Sequence, residues 1–493
     1  MKSGRVIRKI KNIINSHTWL KIRNMTSVQE NKLFFESFSG NSFQGNVYYI
    51  FKAIFHDKRF SEYHFIIASK NPDELRSWLE NKNLFDKRVT IVEYLSESYI
   101  ILLYSAKYLV NNVSFPMAFV KKDEQFYVNT WHGTPLKCIG VRTGQNPLIV
   151  QNMQRDFLCC DYLLSPNPAT TEVLLRDFNL FAYTPADIQS TGYPRNEIFF
   201  DDKFRKNERK KLGIESKQVI FYMPTWRDKG NEHINFSAEM EKLSNKLGDG
   251  YIIFLKLHPL DQSEKSMNSA VRYMPSEYEV YEFLQCCDVL ITDYSSVFFD
   301  FANTGRKIVL YQFDKDDYYR DRGVYDNIAR EISFPVATSI SQLAERIQEP
   351  TEEYLRFKNT FCPWDGNNPT KNVVDAILEG KSMRFRECRI VVIDSNDELN
   401  AISKHDQLVY LIPGKKNGFF QKQESLLKVP FLVGSLHGEY LLSERLSMVF
   451  SFCRITKRIC REAFDRERKR YFGNLLPIDV SSDCKIPEFL KTK

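Results

Sequence analysis

The sequence predicts an α/β protein: two units of parallel β-sheet in tandem, followed by a small extra domain. Three observations carry this. Short apolar runs alternate with helix-length segments over 43–180, the same rhythm restarts at residue 218, and one stretch of the first unit is echoed in the second. Strands separated by helix-length segments signify a parallel sheet covered by helices.

In the first unit the runs lie at 47–55, 63–68, 89–94, 99–110 and 126–131. In the second, strands are expected at 218–223, 251–257, 288–292 and 307–311. The echo pairs Phe157-Leu158-Cys159-Cys160-Asp161-Tyr162-Leu163-Leu164-Ser165 with Leu284-Gln285-Cys286-Cys287-Asp288-Val289-Leu290-Ile291-Thr292. Each reads as a helix end, an Asp, a buried strand and a hydroxyl residue opening a loop. Two related Rossmann-like halves facing a cleft would produce this, and ligands of such sheets sit at the carboxyl ends of the strands. Beyond residue 380, apolar runs at 390–393, 408–412 and 429–433 precede a basic stretch from Arg454 to Arg470, which suits a small α/β or α+β domain. The expected divisions are a basic leader at 1–29, a first unit at 30–195, a second at 196–380 and an accessory domain at 381–493.

Charge follows these divisions. The 493 residues hold 69 basic and 62 acidic side chains, a net +7. Residues 1–29 carry seven bases and no acid, and 381–493 carry 21 bases and 14 acids, so 30–380 is net −7. A content of 43% hydrophobic and 14% aromatic residues excludes a disordered chain. No apolar run approaches the ~18 residues of a membrane span. Asn12, Asn15, Ser16 and His17 interrupt any signal-peptide core. Ten cysteines without a C-x-x-C read as reduced thiols of the cytosol, and no zinc site is expected. Val6, Ile10, Ile13, Ile14 and Leu20 fall near one helical face ringed by Lys and Arg. Such a leader is either an interfacial helix drawn to anionic lipid, a solvated and partly disordered segment, or a helix packed on the protein. Glu462, Asp465 and Glu467 interrupt the basic stretch, which favours a solvated helix face over a nucleic-acid site.

Four loop-like segments follow expected strands. Asn129-Thr130-Trp131-His132-Gly133-Thr134-Pro135-Leu136-Lys137 places a His where the backbone turns and a glycine allows close approach; the His is either structural or a general base. Gly192-Tyr193-Pro194-Arg195-Asn196-Glu197 and Met223-Pro224-Thr225-Trp226-Arg227-Asp228 each present an Arg, which binds phosphate oxygens in a fork or pairs with an acid. Leu255-Lys256-Leu257-His258-Pro259 closes a strand with two cationic candidates. Thr292-Asp293-Tyr294-Ser295-Ser296-Val297 places two serines at a helix start, where they either cap the helix or join free N–H groups in holding an anion. No G-x-x-x-x-G-K-[ST] occurs, which excludes a P-loop NTPase. Together these residues suit a nucleotide-diphosphate donor whose leaving phosphate is stabilised by protein donors.

In this order, N-T-W-H-G-T-P-L-K, G-Y-P-R-N-E, P-T-W-R-D, L-K-L-H-P and T-D-Y-S-S-V-F-F-D-F resemble the CDP-glycerol glycerophosphotransferase family, the teichoic-acid primases and polymerases and their capsule-synthesis relatives. The resemblance extends to Phe38-Ser39-Gly40-Asn41-Ser42, Gly45-Asn46 and Trp364-Asp365-Gly366-Asn367-Asn368, and leaves 381–493 uncovered. It implies a GT-B fold and a peripheral enzyme at the cytoplasmic face of the membrane. It also implies transfer of glycerol phosphate from CDP-glycerol, or ribitol phosphate from CDP-ribitol, to a lipid-linked or saccharide acceptor. His132 and His258 then fall on the family's motif histidines, with His132 as the base. Arg195, Arg227, Lys256, Ser295 and Ser296 bind the donor phosphates, supported by Thr134 and Lys137. Asp293 orients a cation or the ribose, and Asp300 pairs internally. No cofactor or divalent metal is expected, and no nucleic-acid partner. The competing readings are a GT-B enzyme using a nucleotide sugar and a noncatalytic membrane- or polyanion-binding protein.

Overall fold

The computed structural model describes residues 17–143, 150–180, 183–184, 187–225, 235–256, 270–315, 323–351, 354–380, 386–393, 408–411, 431–433, 439–449, 454–482 and 490. Three parallel sheets follow one another along the chain. The first has seven strands: β1 (Gln29–Glu36), β2 (His64–Ser69), β3 (Val89–Glu93), β4 (Ala106–Asn111), β5 (Phe126–Asn129), β6 (Tyr162–Ser165) and β7 (Gln189–Ser190), in spatial order β3-β2-β1-β4-β5-β6-β7. The second has six: β8 (Gln218–Tyr222), β9 (Tyr251–Leu255), β10 (Val271–Tyr273), β11 (Val289–Thr292), β12 (Lys307–Tyr311) and β13 (Val336–Ala337), in order β10-β9-β8-β11-β12-β13. Both are doubly wound, with the order reversing beside β1 and β8. Their inner strands read as near-continuous apolar runs because helices cover both faces. Facing each other across a cleft, the two units form a GT-B fold.

The echo has a structural cause. Asp161 donates its N–H to the Tyr127 carbonyl and accepts the Tyr127 N–H on Oδ2, both at 2.8 Å. Asp288 makes the same pair of bonds with Val219, also at 2.8 Å each. In both units an Asp at the entrance of a strand brackets the second residue of its neighbour and sets the register.

Two apolar runs differ from expectation. Residues 47–55 are not a strand but the body of a helix, Gly45–His56. They are apolar on all sides because the helix lies between the sheet and the segments Pro194–Phe200 and Pro369–Glu379. The run 99–110 is a helix, Glu97–Ser105, leading directly into β4. The central strand β1 lies at the start of the first unit, and the described part of the leader packs just before it. Residues 17–25 form a helix, with Trp19 and Leu20 fully buried and Trp19 packed edge-on to Tyr99 and Tyr104. Residues 1–16 lie outside the described residues.

The helix Pro369–Glu379 crosses back to the first unit, where Asp375 pairs with Arg59 at 3.0 Å. The accessory domain is α/β, with β14 (Arg386–Ile393), β15 (Leu408–Leu411), β16 (Phe431–Val433) and β17 (Leu475–Ser482) parallel in order β16-β15-β14-β17. It docks on the first unit and shares its core through Ile390, Tyr410, Phe472 and Leu475. The basic stretch is the helix Arg454–Phe472. Arg466 and Arg470 are buried in it and paired with Glu444, Glu467 and Glu439, so part of its charge is internal structure. The eight cysteines among the described residues are free thiols, seven of them buried.

Candidate active site

The site is built where the carboxyl ends of the two sheets meet. After β5 the chain turns sharply: Asn129 Oδ1 accepts the Trp131 N–H at 2.9 Å, and Trp131 takes the left-handed conformation, φ 50°. The Trp131 indole N–H reaches forward to the Gly133 carbonyl at 2.8 Å, which holds His132 at the tip. The Nδ1 atom of His132 lies 2.8 Å from the main-chain oxygen of Asn112, at the end of β4. A carbonyl only accepts, so Nδ1 carries the proton and Nε2 is left with its lone pair. Burial pulls the His132 pKa down to about 4; Arg195 acts in the same direction and the Asn112 carbonyl opposes it. The ring is therefore neutral at pH 7, as a base requires.

A cavity of about 240 Å³ opens beside it, lined by His132, Gly133, Lys137, Thr225, Ser295 and Ser296 among others. The histidine loop of the first unit and the serine loop of the second thus share one space. They touch closely: a Cβ on Gly133 would stand 2.8 Å from Ser296 Oγ. Ser296 makes no capping bond with its side chain, while Ser295 Oγ accepts weakly from the Val297 N–H at 3.4 Å. The helix behind them, Val297–Phe301, has only five residues, so its dipole adds little and anion binding here rests on hydroxyl and local N–H donors.

The remaining expected residues divide. Lys137 lines the same cavity, and its backbone bridges to Val324. Lys256 lines a separate crevice of about 930 Å³ between the units, bounded also by Asn41, Lys52, Trp78 and Tyr278, and burial lowers its pKa. Thr134 is buried and accepts from Asn167 Nδ2 at 2.8 Å, tying the loop to the start of the helix Pro168–Asp177. Asp293 is buried and accepts from the Thr225 N–H at 3.0 Å, the Thr225 hydroxyl at 2.5 Å and the Tyr294 N–H at 2.6 Å. Through these bonds it shapes the loop from β8. Arg227 and His258 lie outside the described residues. Among the described residues no group of three His, Cys, Asp or Glu side chains is placed to hold a metal ion.

Arg195 departs most from expectation. It is buried, donates from Nη1 to the His132 carbonyl at 2.9 Å and pairs through Nη2 with Asp300 at 2.7 Å. The rings of Tyr193 and Tyr281 flank it at 4.6 and 4.8 Å. It holds the base loop from behind and is not among the residues that line the cavity beside His132. Asp300 also accepts from Tyr281 Oη and Asn196 Nδ2, and Asn196 continues the network to Asp365. Asp365 binds the Tyr193 N–H and Asn303 as well, and burial raises its pKa to about 6. Gly192 is required here, because a Cβ would meet the Trp364 carbonyl at 2.7 Å and φ is +77°. The segments 192–197 and 364–368 are therefore one crossing point between the units.

Asn112, which sets the tautomer of His132, was missed from sequence because it acts through its main chain. Glu279 and Glu282 were also missed. They join the units through the Gly45 N–H at 3.0 Å, Tyr48 Oη at 3.1 Å, and Lys52 and Lys82 at 3.0 and 2.6 Å. Their spacing at the start of the helix Val280–Cys286 forms a capping box, a signal legible in the sequence.

Known proteins are similar to this chain in sequence and in fold. A teichoic acid poly(glycerol phosphate) polymerase of Bacillus spizizenii is 32% identical over 377 residues, covering 71% of this chain and 92% of its own length. A teichoic acid glycerol-phosphate transferase of Staphylococcus aureus is 29% identical over 380 residues, covering 71% and 93%. The chain spans only 55% of the teichoic acid poly(glycerol phosphate) polymerase of Staphylococcus epidermidis, at 29% identity over 76% of this chain. Among solved structures, the wall teichoic acid polymerase TagF superposes with a TM-score of 0.64 at 27% identity, covering 76% of this chain and 96% of that one. A TagF variant soaked with CDPG gives 0.63 at 28% identity, covering 76% and 97%. No helix among the described residues is long and apolar enough to cross a membrane. Residues 18–379 match the family described as CDP-Glycerol:Poly(glycerophosphate) glycerophosphotransferase, and the chain belongs to that family.

Proposed function

We propose that this chain transfers glycerol phosphate from CDP-glycerol to a hydroxyl of a membrane-linked or saccharide acceptor, releasing CMP, in the synthesis of teichoic acid or a related surface polymer. The observation that carries the reading is the shared cavity, in which a neutral His132 from one unit faces Ser295 and Ser296 from the other. The acceptor oxygen attacks the β-phosphorus in line and its proton passes to Nε2 of His132. The bridging P–O bond breaks, and CMP departs toward the serine hydroxyls. Proton transfer to a positioned base contributes roughly 10²–10⁴-fold, and fixed donors at the leaving phosphate supply electrostatic stabilisation. His258, Arg227 and Lys256 are assigned to the pyrophosphate on their place in the motifs. No metal or cofactor takes part, since protein donors meet the leaving charge.

The acceptor brings the enzyme to the cytoplasmic face of the membrane, where the basic residues of 1–16 meet anionic lipid. Purified protein supplied with CDP-glycerol, CDP-ribitol and a sugar nucleotide, each with candidate acceptors, is read by CMP release and product mass. CMP from CDP-glycerol, insensitive to EDTA, is the expected result. Turnover of the sugar nucleotide alone would replace this reading with glycosyl transfer, and turnover of CDP-ribitol alone would replace the donor.

A further inference from the structure

The turn after β1 is strained on its cleft side. Phe38, Ser39 and Gly40 all lie in the left-handed region, with φ of 46°, 53° and 72°. A bulky residue there is a backbone outlier, since its Cβ crowds the following carbonyl. The surroundings over-determine the conformation. The Phe38 N–H donates to Asn112 Oδ1 at 2.9 Å and Asn112 Nδ2 donates to Ser37 Oγ at 3.1 Å. The Gly40 N–H closes the turn on the Ser37 carbonyl at 3.0 Å, and the Gly40 carbonyl accepts from the Lys70 N–H at 2.8 Å. Core burial does not account for the strain, because Phe38 is only half-buried. Its ring stands against His132, with centroids 5.9 Å apart, and Trp131 gives the imidazole a second aromatic wall at 4.0 Å. Asn112 joins the two parts: its side chain fixes the Phe38 turn and its carbonyl fixes Nδ1 of His132.

Resting on the reading of His132 as the base, we propose that Phe38 is a positioning residue for the transfer: the strained turn presses its ring on the imidazole and holds Nε2 toward the acceptor hydroxyl. Strain kept at a site by its surroundings is a recurrent way of preorganising it. Asn112 is the common anchor, so the base and its wall move as one body.

The test uses Phe38→Asn, because asparagine tolerates the left-handed region and leaves the turn unstrained while removing the ring. Phe38→Tyr keeps the ring. Among the described residues, the charged groups near His132 are Arg195, at its carbonyl, and Lys137, in the same cavity. For Phe38→Asn, kcat should fall about 10–100-fold with the KM for CDP-glycerol within about twofold. The acid limb of kcat/KM should move up from about 4 toward the ordinary 6.5 as water reaches the ring. Phe38→Tyr should restore both. Should Phe38→Asn melt early, Phe38→Leu, which lacks the ring plane, is read the same way. An unchanged kcat and acid limb in the ring-less variant would overturn the proposal. Activity retained by His132→Ala as well would instead locate the failure in the base assignment.

Discussion

The guanidinium of Arg195 donates to the main-chain carbonyl of His132 at 2.9 Å, and its other end is held by Asp300 at 2.7 Å. An arginine of a conspicuous motif therefore acts on the loop of the base, from the hinge between the two units. Removing it leaves the Asp300 carboxylate buried without its cation, a loss of about 3–5 kcal/mol. Arg195→Ala is expected to shift the urea midpoint accordingly. Arg195→Lys should remain folded but lose kcat more than donor affinity, because a single ammonium cannot reproduce the fork.

The low pKa of His132 sets the pH behaviour. The base is neutral in the folded protein down to about 4 and ordinarily titrates at 6.5. Activity should therefore hold through pH 5.5–7, with kcat/KM falling only as pH approaches 4. Stability follows the same sign. The unfolded chain takes up a proton below 6.5 that the folded chain refuses, so this group's contribution is present above 6.5 and lost as pH falls toward 4. A pH–rate profile with its acid limb near 6.5 would remove the neutral, buried base.

Gly133 separates the base from the serine loop. A Cβ there meets the Ser296 hydroxyl at 2.8 Å, and that hydroxyl can rotate away. Gly133 also takes φ +157°, which side chains rarely adopt, so Gly133→Ala should lower the melting temperature as well as weaken donor binding, the latter visible as a raised KM for CDP-glycerol and a smaller thermal shift with it.

Trp19 and Leu20 belong to the core of the first unit, and fully burying such side chains contributes about 1.5–3 kcal/mol each. Removal of residues 1–16 should reduce binding to anionic vesicles. Removal of 1–23 should in addition lower the melting temperature. Equal vesicle binding after the shorter deletion would contradict a lipid role for the basic leader.

Much of the architecture was legible because parallel strands buried on both faces are continuous apolar runs, as in β8, β9, β11 and β12. The Gly45–His56 helix escaped because nine of its twelve residues are buried, which leaves too narrow a polar stripe to reveal a 3.6-residue period. β1 escaped because its first half is exposed and only Leu33–Glu36 is buried. Within the site, the sequence located the loops that carry His132, Ser295 and Ser296, since strand-end turns are where ligands bind. It could not assign partners. Arg195, Thr134 and Asp293 look like ligands of a polar substrate in sequence, but each is bonded to a neighbouring side chain: Asp300, Asn167 and Thr225 respectively. Those pairings depend on contacts across 33 to 105 residues, which no local pattern encodes.

The central claim is that His132 takes the acceptor's proton. The most direct measurement is single-turnover CMP release by His132→Ala, with CDP-glycerol affinity determined on the same preparation by calorimetry. A loss of roughly 10²–10⁴-fold in rate with donor affinity within about threefold is the predicted result. A variant that releases CMP at the wild-type rate, or one whose defect lies wholly in donor binding, would contradict it.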